Sequence, residues 1–211
     1  MLSKKERCQH WKLYVITDSA NLKKGPLVHT VREAILGGAS AIQLRDKLAT
    51  DEELILQAKE LLLVCRGAGI PLIINDRIQV AKKSGADGVH LGQEDASFLE
   101  ARAILGDWAF VGRSTHSPEQ ALCAQKEGFD YIGVGPVFAT PTKPTYEAVG
   151  LDLVKFAAKN IRIPFVAIGG INETNTMEVK KAGAGTIAVV RAVMSSEDPQ
   201  KATRNICRMM S

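Results

Sequence analysis

Polar and charged side chains follow short apolar runs at several separate places in this chain, and their types suit the grip of a phosphorylated ligand. Gln43, Arg45 and Lys47 alternate at the end of one run, and Asn75 and Asp76 follow Leu72-Ile73-Ile74. Asp95 lies just past Gly88-Val89-His90-Leu91, and Thr140, Thr142 and Lys143 come soon after Ile132 to Pro136. Arginine offers a planar fork to phosphate oxygens and lysine a compact charge. If the strand extends through Gln43, Arg45 and Lys47, the three share one face while Ile42 and Leu44 take the other. Asp76 and Asp95 each follow a strand-like run and precede a helical pattern. They are either plain helix N-caps or a pair of carboxylates for Mg²⁺, which takes one or two protein carboxylates plus substrate phosphates. The amide of Asn75, adjacent to Asp76, favours the second reading. His90 and His116 also lie near strand ends, where a lone histidine is more often structural than catalytic.

The elements that must position these residues are written as a hidden repeat. Gly38, Gly85, Gly128 and Gly183 each close a helical pattern and open an apolar run, at spacings of 47, 43 and 55 residues. A glycine there is the expected left-handed helix cap leading into a strand. Between these runs lie others at Leu13 to Ile16, Leu72 to Ile74, Ala109 to Val111 and Pro164 to Ile168. Interleaving the two sets gives eight strands. Thr50 with Glu53 reads as a capping box, and Ser117-Pro118-Glu119-Gln120 as a serine cap with proline in the first turn. Strands alternating with helices imply a parallel sheet, and eight repeats imply closure into one α/β barrel of the (β/α)₈ TIM type. An open doubly wound sheet is the rival arrangement. The expected organisation is a single domain over residues 1–211, with residues 1–12 as an N-terminal extension.

In such barrels the loops after the seventh and eighth strands often form a phosphate site from backbone N–H groups and a helix N-terminus. Gly169-Gly170 closes the seventh strand here and Val190-Arg191 the eighth. The stretch from Thr140 to Thr145 is polar and proline-stiffened, in a loop of the length that is usually functional or disordered.

Composition narrows the class. Of 211 residues, 45% are hydrophobic and 24% charged, which suits a globular protein with a proper core. An excess of 27 Lys/Arg over 23 Asp/Glu fits small anionic ligands and is too weak to imply nucleic acid. Lys4, Lys5 and Arg7 read as a solvated basic tail. Cys8, Cys65, Cys123 and Cys207 are too scattered for a zinc or disulfide framework, and Cys65 falls in an apolar helix stripe. With no membrane-length apolar run and no secretory segment at the start, a cytoplasmic location without a membrane partner is expected.

Taken together, Tyr14 to Asp18, Gln43 to Lys47, Ile74 to Arg77, Gly88 to Asp95, Gly112 to His116, Gly133 to Lys143, Val166 to Ile171 and Gly183 to Val190 resemble the thiamine-phosphate synthase family over nearly the whole chain. The resemblance implies a transferase that couples hydroxymethylpyrimidine diphosphate to thiazole phosphate by Mg²⁺-assisted dissociative displacement. It implies that Gln43 binds the pyrimidine and that Arg45, Lys47, Asn75 and Lys143 hold the diphosphate. Asp76 and Asp95 would bind Mg²⁺, and Ser114 would lie near the pyrimidine and the departing group. Thr140, Thr142, Gly170 and the backbone at Val190 and Arg191 would receive the thiazole phosphate. The implied partners are these two small molecules, with a homo-oligomer left open. One residue departs from the pattern: the family usually has serine where this chain has Arg191. Two other descendants of the barrel compete, a thiazole tautomerase working through His116 and a non-catalytic ligand-binding protein.

Overall fold

The computed structural model describes residues 3–23, 25–140 and 147–211. Its eight parallel strands close on themselves in sequence order: β1 (Leu13–Ile16), β2 (Ala41–Leu44), β3 (Leu72–Asn75), β4 (Gly88–Leu91), β5 (Phe110–Thr115), β6 (Tyr131–Val134), β7 (Phe165–Ile168) and β8 (Ile187–Val189). The helices are α1 (Lys4–Gln9), α2 (Leu27–Gly37), α3 (Asp51–Gly67), α4 (Ile78–Ser84), α5 (Phe98–Leu105), α6 (Pro118–Glu127), α7 (Gly150–Asn160), α8 (Thr176–Lys181), α9 (Arg191–Met194) and α10 (Pro199–Met210). The chain is therefore the expected (β/α)₈ barrel. No described helix is long and apolar enough to cross a membrane.

The local signals act as their chemistry requires. Gly38, Gly85 and Gly128 cap α2, α4 and α6 in the left-handed conformation, and Gly183 adopts positive φ one residue past the cap of α8. The Thr50 hydroxyl accepts from the Glu53 N–H while the Glu53 carboxylate accepts from the Thr50 N–H, completing the capping box of α3. Ser117 caps α6 through the Gln120 N–H, with Pro118 in the first turn.

Side-chain alternation splits the core into two layers. Residues such as Leu13, Val15, Ile42, Leu44, Leu72, Ile74 and Val89 face outward and pack on the helices together with Cys65. Tyr14, Ile16, Ala41, Ile73, Phe110, Tyr131, Val166 and Ala188 face inward and fill the barrel. Gln43 joins the inward set while being 2% exposed, so it is a buried polar group at the level where the interior turns from apolar to polar.

Residues 3–12 correct the expectation of a solvated basic tail. α1 carries its own Ser3–Glu6 capping box and closes the bottom of the barrel. Cys8 and Trp11 are buried with the inward layer. The Trp11 ring lies 5.5 Å from Tyr14, 5.3 Å from Phe110 and 5.1 Å from Tyr131. Lys4 pairs with Asp130 at 2.9 Å, and the Arg7 guanidinium sits 4.5 Å from the Phe110 ring centroid. Of the three basic residues, Lys4 and Arg7 are thus tied to the barrel.

Candidate active site

A cavity of about 300 Å³ opens at the C-terminal ends of the strands. It brings together Gln43, Arg45, Asn75, Ser114, Thr140, Gly170, Val190 and Arg191 from six of the eight strand ends or the loops after them. Lys47 is exposed and, with Asp76 and Asp95, stands outside that lining. Thr142 and Lys143 lie outside the described residues.

The strand expected to carry Gln43, Arg45 and Lys47 on one face ends sooner than their alternation suggested. β2 stops at Leu44, so Arg45 and Lys47 lie in the loop after it. Arg45 is instead fixed by a neighbour. The buried Thr17 hydroxyl accepts the Arg45 N–H at 2.9 Å and donates to its carbonyl at 3.2 Å, while Thr17 N–H reaches the Gln43 carbonyl at 2.9 Å. This clamp fixes the Arg45 backbone at the cavity wall, a role for Thr17 that its type and place after β1 could have suggested.

Neither aspartate is a helix cap. Arg77 occupies the cap position of α4 and Ser97 that of α5. Asp76 has φ 61°, the single positive value for a non-glycine among the described residues. Such conformations cost about 1–3 kcal/mol and persist where surrounding contacts enforce them. Here the Asp76 N–H donates to the His90 carbonyl at 2.8 Å, and Arg77 is tied to Asp51 and the Ala49 carbonyl. Asp95 sits in the loop after β4 and accepts the Gly92 N–H at 2.6 Å. Arg113 holds that loop through the carbonyls of Gln93 and Ala96. β3 and β4 are adjacent, with Asn75 paired to His90, so both carboxylates belong to neighbouring strand ends. Among the described residues no group of three or more His, Cys, Asp or Glu converges. Two carboxylates completed by substrate oxygens is nonetheless an ordinary magnesium set, and Asp76 and Asp95 would be the residues to supply it.

At the opposite rim, Gly169 and Gly170 both take positive φ, at 107° and 64°. A Cβ on Gly169 would overlap Pro136, and one on Gly170 would lie 2.8 Å from the Ala139 carbonyl oxygen. The pair is therefore more than an ordinary turn. It lets the loop after β6 pack against the loop after β7, with Phe138 and Ala139 close against Gly170. α9 begins at Arg191 beside them, and the first N–H groups of a helix lack intrahelical acceptors. Gly169, Gly170, Val190 and Arg191 thus line the cavity together, and backbone donors, glycines and a cationic side chain are the kinds of group an anion needs.

Sequence reasoning undervalued His90. It is joined to the Tyr131 hydroxyl at 3.1 Å and to the Ser114 hydroxyl at 3.0 Å. Tyr131 meets the Tyr14 hydroxyl at 3.1 Å, and Gln43 Nε2 donates to Tyr14 at 2.9 Å. Room for this chain comes from Gly112, where a Cβ would overlap the Tyr131 ring. His116 also lines the cavity, with Nδ1 against the Gly135 carbonyl.

Known proteins resemble this arrangement throughout its length. A family model described as thiamine monophosphate synthase matches residues 13–193. A thiamine-phosphate synthase from Chloroflexus aurantiacus is 46% identical over 95% of this chain and 93% of its own length. One from Thermosynechococcus vestitus is 44% identical over 95% of this chain, which spans only 56% of that longer relative. A solved thiamine phosphate pyrophosphorylase from Pyrococcus furiosus superposes with a TM-score of 0.88 at 41% identity, covering 97% of both chains.

Proposed function

This chain belongs to the thiamine monophosphate synthase family, and on that footing we propose that it joins hydroxymethylpyrimidine diphosphate to thiazole phosphate, forming thiamine phosphate and releasing diphosphate. The observation that carries the reading is the two-sided cavity. Gln43, Ser114, Asn75 and Arg45 line it together with Gly170, Val190 and Arg191; the first group would take one ligand and the second would take another anion.

The division of labour follows from charge. Cleavage at the pyrimidine methylene moves negative charge onto the departing diphosphate. Arg45, its backbone held by Thr17, would place a cation where that charge grows, and Asn75 would add an amide donor. Lys47 and Lys143 are proposed to join them. Asp76 and Asp95 are proposed to hold Mg²⁺, which when bound would neutralise diphosphate oxygens. Ile16, Val166 and Ile168 wall the cavity with apolar surface and limit the water that could intercept a reactive pyrimidine methylene. The thiazole nitrogen attacks as a neutral nucleophile with no proton to lose, so the site requires no general base.

Arg191 gives a direct test of the second anion subsite. Its residue opens α9 at the rim and remains solvent-exposed, yet it lines the cavity. A guanidinium there adds a charge-assisted hydrogen bond to a phosphate that backbone N–H groups alone would hold more weakly. Arg191→Ser is expected to raise the Michaelis constant for thiazole phosphate about ten-fold and to leave that for the pyrimidine substrate nearly unchanged. Steady-state kinetics with each substrate varied in turn checks this, and an unchanged thiazole constant would place the side chain in solvent.

Thermal-shift titration tests the whole assignment. The pyrimidine diphosphate should raise the melting temperature only modestly alone and more with Mg²⁺, as binding to the folded state requires. Thiazole phosphate should stabilise without the metal. No shift with either ligand would remove the proposal.

A further inference from the structure

The hydrogen-bond chain across the barrel interior has a fixed direction. An amide nitrogen can only donate. Gln43 Nε2, 2.9 Å from the Tyr14 hydroxyl, therefore makes that oxygen an acceptor and directs the Tyr14 proton onward. Its neighbour is the Tyr131 hydroxyl at 3.1 Å, which then sends its own proton to His90 Nδ1, also at 3.1 Å. Nδ1 is thereby an acceptor, and the proton of the neutral imidazole belongs on Nε2. From Nε2 it is donated to the Ser114 hydroxyl oxygen at 3.0 Å. Three sites at the ends of the chain remain for a ligand: Gln43 Oε1, which can only accept, and the second Gln43 Nε2 hydrogen and the Ser114 hydroxyl hydrogen, which can only be donated.

We infer that Tyr14, Tyr131 and His90 are positioning residues that present Gln43 as an acceptor and Ser114 as a donor, so that the pocket selects a pyrimidine bearing an exocyclic amino group over its oxo counterpart. This rests on the transferase reading for the ligand and on the barrel geometry for the chain. Gln43 and both tyrosines are almost wholly buried, so a mismatched acceptor facing Gln43 Oε1 would lose its water without finding a donor. Burial pushes both phenol pKa values up, which keeps the hydroxyl protons in place at neutral pH. Two glycines protect the register of the chain. A Cβ at Gly112 would lie 2.6 Å from His90 Nδ1, and one at Gly133 would lie 3.3 Å from His90 Cε1. The histidine ring is thus held in a slot between β4, β5 and β6.

Two measurements decide the matter. The first uses the ligand-free protein: long-range proton–nitrogen correlation of the imidazole resonances should show neutral His90 protonated on Nε2. In Tyr131→Phe, which keeps the ring and deletes the hydroxyl, both tautomers should appear. A proton on Nδ1 in the parent protein would reverse the chain and overturn the inference. The second compares kcat/KM for the amino and oxo forms of the pyrimidine diphosphate, each with thiazole phosphate and Mg²⁺. The parent should favour the amino form by about 10²-fold or more. Tyr14→Phe frees the Gln43 amide to turn over, and the preference should shrink by about ten-fold. An unchanged preference in Tyr14→Phe refutes the positioning role. Failure of the parent to use either pyrimidine would count against the transferase reading, while the tautomer result would still stand for or against the chain.

Discussion

Asp76→Asn and Asp95→Asn variants are expected to fold normally and to turn over about 10²–10³-fold more slowly than the parent, the cost commonly met when one group that stabilises developing charge is removed. Asparagine is the informative replacement at position 76. Its side chain tolerates the left-handed backbone that Asp76 adopts at φ 61°, so the loss of charge is separated from added strain. Asp76→Ala mixes the two and should also lower stability. If the carboxylates hold Mg²⁺ for the diphosphate, excess chelator abolishes turnover in the parent and added Mg²⁺ restores it. Each variant should then need far more Mg²⁺ for half-maximal rate. Full activity in chelator, or variants with unchanged metal dependence, would return both residues to a purely structural role. Circular dichroism and unfolding midpoints matching the parent are the control for the asparagine pair.

Trp11→Ala is expected to lower the unfolding free energy by about 3–5 kcal/mol, the range for truncating a large buried aromatic. Trp11 is 4% exposed and touches three inward-facing rings at the base of the barrel. Its loss leaves a void that Tyr14 and Tyr131 cannot fill without moving, and both are members of the hydrogen-bond chain that ends at Gln43. Urea denaturation followed by tryptophan-independent circular dichroism gives the free energy directly. A change below about 1 kcal/mol, the typical effect of an arbitrary substitution, would make residues 1–12 a dispensable tail after all.

The barrel itself was legible because its signals are local. Glycine caps at Gly38, Gly85 and Gly128, and the capping box at Thr50, depend on residues within one turn of each other. Strand ends were less legible. Apolar runs mark the middle of a strand, so β5 was expected to stop at Val111 and in fact continues to Thr115. Its last residues are polar because Ser114 faces the cavity, while Arg113 turns outward to hold the loop after β4. Gln43, Arg45, Asn75 and Ser114 were placed at the cavity by motif and are found there. The Tyr14–Tyr131–His90 chain was not visible, since its members come from three strands that meet only when the barrel closes. The closing role of α1 was hidden for a similar reason: Lys4 finds Asp130 only in the folded chain. Lys143 and Thr142 were singled out by the same motifs and lie outside the described residues.

The most direct measurement is product formation by the purified chain. Incubated with hydroxymethylpyrimidine diphosphate, thiazole phosphate and Mg²⁺, it should yield thiamine phosphate and inorganic diphosphate in equal amounts, resolved by phosphorus NMR and mass spectrometry. Omission of either substrate should abolish thiamine phosphate. Intact pyrimidine diphosphate and no thiamine phosphate, with both substrates saturating and Mg²⁺ present, would contradict the assignment of this cavity as a transferase site.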